Sequence, residues 1–235
     1  MAGDWQTIMR VRHPNGTPHL GLRLHRAFRY AAEKHAGQAR KGTAVPYLSH
    51  LMAVASLVLE AGGDEEMAIA ALLHDVVEDC GGTPRLREIR KQFGPRVAKI
   101  VEGCTDSFGE PKREWIQRKK DYLREVKHAD RETRLVSASD KLHNVRTILT
   151  DYRQHGEKIW KRFSGKREGT LWYYRALSDE YGRKPNRITR ELEVAVTELE
   201  RAVEWISRKQ RKSPPKRSLD GAPALRPHDG PLGDE

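Results

Sequence analysis

The stretch of sequence that decides the fold is residues 64–79, which read DEEMAIAALLHDVVED. It contains no lysine or arginine, although these two types supply 44 of the 235 residues. At about 100° per residue of an α-helix, Glu78, Asp75 and Asp79 lie about 40°, 100° and 140° from His74, and the large apolar side chains fall on the opposite side. The pattern predicts a helix with one apolar face and one face of histidine and carboxylates. A solvated acidic face is the alternative interpretation.

A second histidine lies on a predicted helix over residues 47–60, YLSHLMAVASLVLE. His50 shares a helical face with Val54 and Leu57, so its imidazole is expected to point into apolar surroundings. A lone histidine on such a face is more often a hydrogen-bonded core residue than a ligand. His50 is therefore a candidate only in combination with other polar residues.

A polar stripe on a third predicted helix provides that combination. Asp140, Asn144 and Thr147 lie on one face, whereas His143 and Arg146 point away from it by the same angles and are not included. Solvent exposure alone would also explain such a stripe. Taken jointly, one histidine, a His-Asp pair and one aspartate on three successive helices predict a metal site. Mixed nitrogen and oxygen donors suit a hydrolytic divalent ion such as manganese, iron or zinc.

Composition narrows the class of protein. No apolar run approaches the roughly 18 residues of a membrane span, and the N-terminus lacks a secretory signal, so membrane-spanning and exported classes are excluded. Cys80 and Cys104 make neither a disulfide framework nor a metal spacing, which fits a reducing, cytoplasmic location. The net charge of +11 favours anionic partners such as nucleotides, nucleic acid or phosphorylated metabolites.

The pattern along the chain predicts an all-α fold, because no stretch alternates with period two for long enough to form a sheet. The predicted helices cover residues 22–36, 47–61, 64–80, 84–93, 95–104, 113–127, 130–151, 157–163, 169–181 and 185–208. Residues 1–20 are expected to be a leader or loosely packed arm, and residues 21–208 one helical domain. Residues 209–235 are basic, rich in proline and glycine and nearly free of apolar side chains, which predicts a disordered tail.

Several ordered motifs resemble the hydrolase domain of RelA/SpoT-type proteins, within the HD superfamily of metal-dependent phosphohydrolases. The similarity extends from about residue 22 to 182. The motifs are GQARKG at 37–42, PYLSH at 46–50, AALLHDVVED at 70–79, FG at 93–94 with Val97, TD at 105–106, and SDKLHNVRT at 139–147. The chain resembles a small alarmone hydrolase, which has this domain without a synthetase domain. The resemblance implies an HD-domain helical bundle of about ten helices with a metal site between helices.

The resemblance also implies roles for the polar residues of the three helices. One metal, usually Mn²⁺ with iron or zinc as alternatives, would be held by His50, His74, Asp75 and Asp140. The catalytic residues would be Glu78 and Asp79, which stand beside an activated water. A carboxylate within hydrogen-bond reach can take the proton of that water as it attacks the 3′-linked phosphorus.

Further positions match the nucleotide-binding part of the family. Arg40 and Lys41 match a basic pair in which a guanidinium can stack on a purine and an ammonium can neutralise phosphate. Asn144 and Thr147 match positions that line the ribose and phosphate pocket. Tyr174 matches the family's closing helix more loosely, and packing of that helix is an equal alternative.

The family removes the 3′ pyrophosphate from ppGpp or pppGpp, nucleotides that carry phosphate chains on both the 5′ and 3′ oxygens. A related substrate such as the adenosine counterpart ppApp, or another nucleotide, would use the same metal ligands. A catalytically silent nucleotide- or RNA-binding protein on the same fold is a further alternative. The expected partner is thus a nucleotide, with no membrane contact, no requirement for nucleic acid and an open oligomeric state.

Overall fold

The computed structural model describes residues 19–108 and 113–212, with side chains described as far as Trp205. This part of the chain forms ten α-helices and one 3₁₀ helix, and its extended pairing is limited to an isolated bridge between Ala39 and Pro46. The α-helices are α1 (Leu22–Lys34), α2 (Leu48–Glu60), α3 (Glu65–Leu73), α4 (Val76–Cys80), α5 (Thr83–Phe93), α6 (Pro95–Cys104), α7 (Trp115–His128), α8 (Arg131–His155), α9 (Lys166–Gly182) and α10 (Arg187–Lys212). The predicted all-α bundle of about ten helices is confirmed.

Helix α3 lies at the centre of the bundle. It packs against α1, α2, α6 and α8, and every residue from Met67 to Leu73 is buried. A helix that is apolar on all sides needs such complete enclosure. Its N-terminus is capped by Asp64, whose carboxylate accepts a hydrogen bond from the Met67 amide. The decisive stretch of sequence thus forms the core element to which the surrounding helices attach.

The long helices α8 and α10 pack side by side along much of their length. On α10, Ile188, Leu192, Ala195, Leu199 and Val203 are buried at steps of three and four residues, as the apolar stripe of its sequence indicates. Ile206, the last residue of that predicted stripe, lies beyond the described side chains. Helix α10 therefore closes the bundle against the outer face of α8.

The predicted single helix over 64–80 is two helices. The chain makes a turn at His74 and Asp75, between α3 and α4. The imidazole of His74 contacts the backbone carbonyl of Ala71 through Nδ1 at 2.7 Å, which is a local contact that competes with continued helical bonding. The break brings the His-Asp pair to the end of a buried helix.

Two helices end four residues later than predicted. Helix α8 continues to His155 and ends at Gly156, whose φ of +60° favours glycine; the 3₁₀ helix then runs over Gly156–Arg162. Helix α10 continues to Lys212, four residues past the predicted boundary at 208. The rest of the predicted tail and most of the leader lie outside the described residues. None of the described helices combines the length and apolar character needed to cross a bilayer.

Candidate metal centre and active site

The candidate metal centre consists of two histidines and an aspartate that come from three segments of the bundle. His50 lies on the buried face of α2, and His74 lies at the turn after α3, which packs against α2. Both imidazoles are buried, and their ring centroids are 5.2 Å apart. Asp140 enters from α8, which contacts both α2 and α3. One ligand atom from each of these three residues lies within 4.8 Å of the others, which is the geometry of a group able to hold one metal ion.

The carboxylates stand close to both imidazoles. Asp140 Oδ1 is 3.2 Å from His50 Nε2 and 3.6 Å from His74 Nε2. Asp75 Oδ2 is 2.9 Å from His74 Nε2 and 3.6 Å from His50 Nε2. Despite this proximity, neither buried Nε2 atom has a hydrogen-bond partner in the described part of the chain. The two nitrogens thus lie close to the carboxylate oxygens without a hydrogen bond between them, and this arrangement fits a cation.

A hydrogen bond at Nδ1 of His74 selects the tautomer in which Nε2 has a lone pair for a metal. Nδ1 of His74 lies 2.7 Å from the carbonyl of Ala71, and a carbonyl can only accept, so Nδ1 carries the proton. The lone pair of Nε2 then faces Asp75 and Asp140. Burial lowers the pKa of His74, but these two carboxylates raise it well above its usual value. The same negative charge that favours a proton at Nε2 favours a divalent cation in that position.

His143 is a correction to the sequence-based expectation. It points away from the Asp140 stripe, as its helical angle predicts, but it lies against His50 with an Nδ1 to Nδ1 distance of 2.8 Å. Burial and the nearby His50 and Arg40 lower the pKa of His143 to about 4, so it is neutral at physiological pH. A neutral imidazole can accept the Nδ1 proton of His50, which leaves Nε2 of His50 available as a ligand. Arg146 pairs with Glu191, away from the site.

Polar neighbours fix the two aspartates. Tyr47 donates its hydroxyl to Asp75 Oδ2 at 2.6 Å, and Lys141 donates to Asp140 Oδ2 at 2.6 Å. Asn144 donates to the other oxygen of Asp140 at 2.5 Å. Burial alone would raise the pKa of both aspartates. His74 and His50 nevertheless hold the pKa of Asp75 well below its usual range, and Lys141 together with the two histidines does the same for Asp140. Both side chains are thus carboxylates, the form that binds metal.

A cavity of about 580 Å³ opens above these residues, between the α1–α2 loop, the α3–α4 turn and helices α7, α8 and α9. Its volume is in the usual range of small-molecule sites. Asp75 and Asp140 line its floor, and Glu78 and Asp79 line it one turn beyond the His-Asp pair. Asp79 is exposed and accepts a hydrogen bond from Gln38, whereas Glu78 is half-buried, 3.7 Å from Arg118.

The five residues expected to contact substrate all line this cavity. Arg40 donates to Asn144 Oδ1 at 2.5 Å, and its guanidinium lies 5.5 Å from the centre of the Tyr47 ring. Lys41 is exposed at the rim, and Thr147 lies one turn after Asn144. Tyr174, which had the weakest support in the sequence, is nearly buried and reaches the cavity from α9. The structure therefore brings together residues that are up to 134 positions apart in the chain.

Other cavity residues were not singled out from the sequence. Tyr47 is part of the PYLSH motif and Lys141 follows Asp140, so motif position could have drawn attention to both. Trp115, Arg118 and Lys119 line the cavity from α7, and their stretch of sequence looks like an ordinary charged surface helix. Only the packing of α7 against α9 places them at the site.

Comparisons with known proteins agree with this geometry. The HD domain family profile matches residues 27–171. A guanosine-3′,5′-bis(diphosphate) 3′-pyrophosphohydrolase from Aquifex aeolicus is 38% identical over 146 residues, which are 61% of this chain and 20% of the relative. The enzyme of that name from Xenopus tropicalis, MESH1, is 40% identical over 125 residues, 52% of this chain and 67% of the relative.

A solved structure shows that the similarity extends to the fold. It is described as a metazoan orthologue of SpoT that hydrolyses ppGpp, and it superposes with a TM-score of 0.63 at 28% identity, covering 78% of this chain and 96% of the other. The resemblance to RelA/SpoT-type hydrolases is thereby confirmed. Since the family profile covers more than half of the sequence, this chain belongs to the HD domain family.

Proposed function

We propose that this protein is a metal-dependent hydrolase that removes the 3′ pyrophosphate from ppGpp and pppGpp. The observation that carries the proposal is the floor of the cavity, where the unpartnered Nε2 atoms of His50 and His74 meet the carboxylates of Asp75 and Asp140. Similarity to named 3′-pyrophosphohydrolases supports the choice of reaction. A cytoplasmic location goes with a nucleotide substrate and with two unpaired cysteines.

The four residues at the floor fit a divalent ion by donor type and by charge. Two imidazole nitrogens and two carboxylates form a mixed set that suits manganese, and we propose Mn²⁺, with iron or zinc able to use the same donors. Such an ion, when bound, polarises phosphate oxygens and lowers the pKa of a coordinated water to near neutrality. His143 and Lys141 would orient the ligands from behind through His50 and Asp140.

Glu78 is the better placed of the two proposed catalytic carboxylates. It lines the cavity one turn after His74, is half-buried, and lies 3.7 Å from the Arg118 guanidinium. A carboxylate oxygen at this position can accept a proton from the attacking water while a new oxygen–phosphorus bond forms. Asp79 is exposed and hydrogen-bonded to Gln38, so we propose that it orients water and the 38–46 loop.

Basic and polar side chains around the floor would hold the nucleotide. We propose that Arg40 stacks on the base, since its planar guanidinium already lies over the Tyr47 ring, and that Lys41 neutralises phosphate at the rim. Asn144 and Thr147, one turn apart on α8, would contact the ribose and phosphate, and Tyr174 would close the site from α9.

The test is a substrate panel. Purified protein with added Mn²⁺ is incubated with ppGpp, pppGpp, ppApp and GTP, and the products are separated by anion exchange. We expect pyrophosphate with GDP from ppGpp and with GTP from pppGpp, while GTP, which lacks a 3′ phosphate, stays intact. Equal or faster release from ppApp would move the substrate to adenosine nucleotides, and absence of any product would favour a silent binding protein.

A matched pair of variants ties that activity to the site. Asp140→Asn removes a negative charge at the cavity floor. Asp179→Asn removes the same charge from an exposed residue on α9 that makes only a loose ion pair, 3.9 Å from Arg175. We expect the first variant to lose turnover and the second to retain it. Equal activity of both variants would exclude the proposed metal centre as the site of hydrolysis.

A further inference from the structure

A second basic pair faces the cavity from α7. Arg118 and Lys119 line the same space as Arg40 and Lys41 but enter it from a different element, and their side chains are only 13% and 18% exposed. Asp106, which is buried, holds both cations: one of its oxygens lies 2.6 Å from Arg118 and the other contacts Lys119. The two cations are thus fixed in place instead of extending into solvent.

The pair retains hydrogen-bond donors that this packing does not use. Arg118 donates from NH1 to Asp106 and from Nε to the carbonyl of Arg113, and its NH2 nitrogen makes no hydrogen bond to the described residues. The ammonium of Lys119 makes one hydrogen bond, to Asp106, and lies 4.9 Å from the centre of the Tyr173 ring. Since an ammonium has three N–H donors and a guanidinium five, these three hydrogen bonds leave most of the donor capacity of the pair unused.

A buried hydroxyl beside this pair is an independent sign that an acceptor belongs here. Tyr173 is 4% exposed, lines the cavity, and its hydroxyl has no hydrogen-bond partner among the residues that the structure describes. Buried hydroxyls are normally paired, because leaving one unpaired is costly. Burial raises the pKa of Tyr173 well above its usual value despite the nearby Lys141 cation, so the hydroxyl keeps its proton and can donate it. Three donor side chains, those of Arg118, Lys119 and Tyr173, thus lie together on this side of the cavity.

The position of these donors relative to the metal centre identifies the ligand group. Arg118 lies 3.7 Å from Glu78, and Lys141 is bonded to the ligand Asp140, so the donors adjoin the floor of the cavity. Arg40, by contrast, reaches Asn144, one helical turn farther along α8. A nucleotide whose base lies toward Arg40 and whose 3′-linked phosphorus lies at the floor would extend its outer 3′ phosphate toward α7.

We propose that Arg118, Lys119 and Tyr173 form a subsite for the terminal phosphate of a 3′-diphosphate, the phosphate farther from the ribose. The inference rests on the proposed function and specifies how its substrate is held. The terminal phosphate does not react: water forms the new bond to the ribose-linked phosphorus, the bond to the ribose 3′ oxygen breaks, and that oxygen takes up a proton. Anchoring the outer phosphate fixes the attacked phosphorus beside Glu78 and selects diphosphates over monophosphates.

The first test measures binding of inorganic pyrophosphate and of orthophosphate by calorimetry, at a buffered free Mn²⁺ concentration. We expect Lys119→Gln to weaken pyrophosphate binding about tenfold or more, as loss of a charge-assisted contact does, and orthophosphate binding far less. The control is Lys120→Gln, which removes the same charge from the next residue of α7, an exposed position outside the cavity, and should bind pyrophosphate within about twofold of the wild-type protein.

Tyr173→Phe separates a binding role from a structural one. The substitution removes only a hydroxyl that has no hydrogen-bond partner among the described residues, so the melting temperature should stay unchanged or rise. Pyrophosphate binding should nevertheless weaken severalfold, by about the value of one hydrogen bond. Unchanged pyrophosphate affinity in both Tyr173→Phe and Lys119→Gln, or an equal loss in Lys120→Gln, would overturn the subsite.

Kinetic comparisons identify which end of the nucleotide the subsite binds. With guanosine 3′-diphosphate, which lacks the 5′ phosphates, Lys119→Gln should lose as much of kcat/KM as it does with ppGpp. If the loss disappears with that substrate, the subsite binds the 5′ diphosphate and the proposal is wrong. If the wild-type protein cleaves neither substrate while Lys119→Gln still loses pyrophosphate affinity, the proposed function fails and the diphosphate subsite stands.

Discussion

Metal binding should stabilise the fold by an amount that depends on the four residues at the cavity floor. A bound ion would offset the repulsion between the carboxylates of Asp75 and Asp140. It would also coordinate the Nε2 atoms of His50 and His74, which have no hydrogen-bond partner among the described residues. Because these donors are assembled only in the folded chain, ion binding adds to the free energy of unfolding. At a free concentration of one hundred times Kd the added stability is about 2.7 kcal/mol.

That free energy converts into a measurable melting shift. For domains of about 150–250 residues, 1 kcal/mol corresponds to roughly 2–4 °C, so Mn²⁺ should raise the melting temperature by about 5–10 °C. Asp140→Ala removes a carboxylate that lies within 3.6 Å of both histidine Nε2 atoms, and it should lose this shift. It also leaves Lys141 without its partner and lowers the starting melting temperature, so the quantity to compare is the shift caused by the ion.

Glu78→Gln is the control, because Glu78 lines the cavity but is not one of the residues whose ligand atoms converge with those of the two histidines. It should keep both the metal content and the melting shift while losing most of its turnover. Differential scanning fluorimetry with a Mn²⁺ titration, together with elemental analysis of the dialysed proteins, measures all three quantities. A Glu78→Gln protein that binds no metal, or an Asp140→Ala protein that retains the full shift, would refute the division of roles.

Three further outcomes are expected. Tyr47→Phe removes the hydroxyl that holds Asp75 and should weaken Mn²⁺ binding about 10–100-fold in an ion titration; unchanged affinity would show that this contact does not orient the ligand. Burial would raise the pKa of Asp106, but Lys119 and Arg118 lower it to about 2. The ionised carboxylate therefore adds about 2 kcal/mol to the free energy of unfolding above pH 4, and this contribution disappears as the pH falls toward 2. Denaturant unfolding should therefore find Asp106→Asn destabilised at pH 7 and the difference from wild type shrinking in acid; a constant difference would contradict this. Deleting residues 213–235 should leave ppGpp hydrolysis within a few-fold at high salt, and a large loss of kcat there would show that the segment reaches the site.

The residues of the proposed metal centre could be singled out from the sequence because they lie on strongly patterned helices. The pattern of residues 64–79 correctly indicated a buried helix, but the structure buries all of residues 67–73 and ends that helix before the His-Asp pair. The turn at His74 could not be predicted this way, since it involves a side-chain contact with the Ala71 carbonyl that leaves no periodic signal. The helical angles correctly placed His143 on a different face of α8 from Asp140. They could not show that His50, on α2, contacts that face.

The α7 wall of the cavity was missed for a different physical reason. Arg118 and Lys119 belong to a helix rich in charge, and isolated basic residues in such a helix usually face solvent. Their burial depends on contacts between α7 and α9, including Trp115, whose ring packs against Gly165 so closely that a Cβ there would lie 2.5 Å from it. Tertiary contacts of this kind are set by shape and cannot be inferred from the pattern of one helix.

The most direct test of the central claim is hydrolysis of ppGpp by the Mn²⁺-loaded protein in ¹⁸O-labelled water, with both products analysed by mass spectrometry. Attack on the 3′-linked phosphorus, next to Glu78 and the four floor residues, places one labelled oxygen in pyrophosphate and none in GDP. We predict that result, and its loss in Asp140→Asn. Label in GDP, or release of orthophosphate in place of pyrophosphate, would contradict the account.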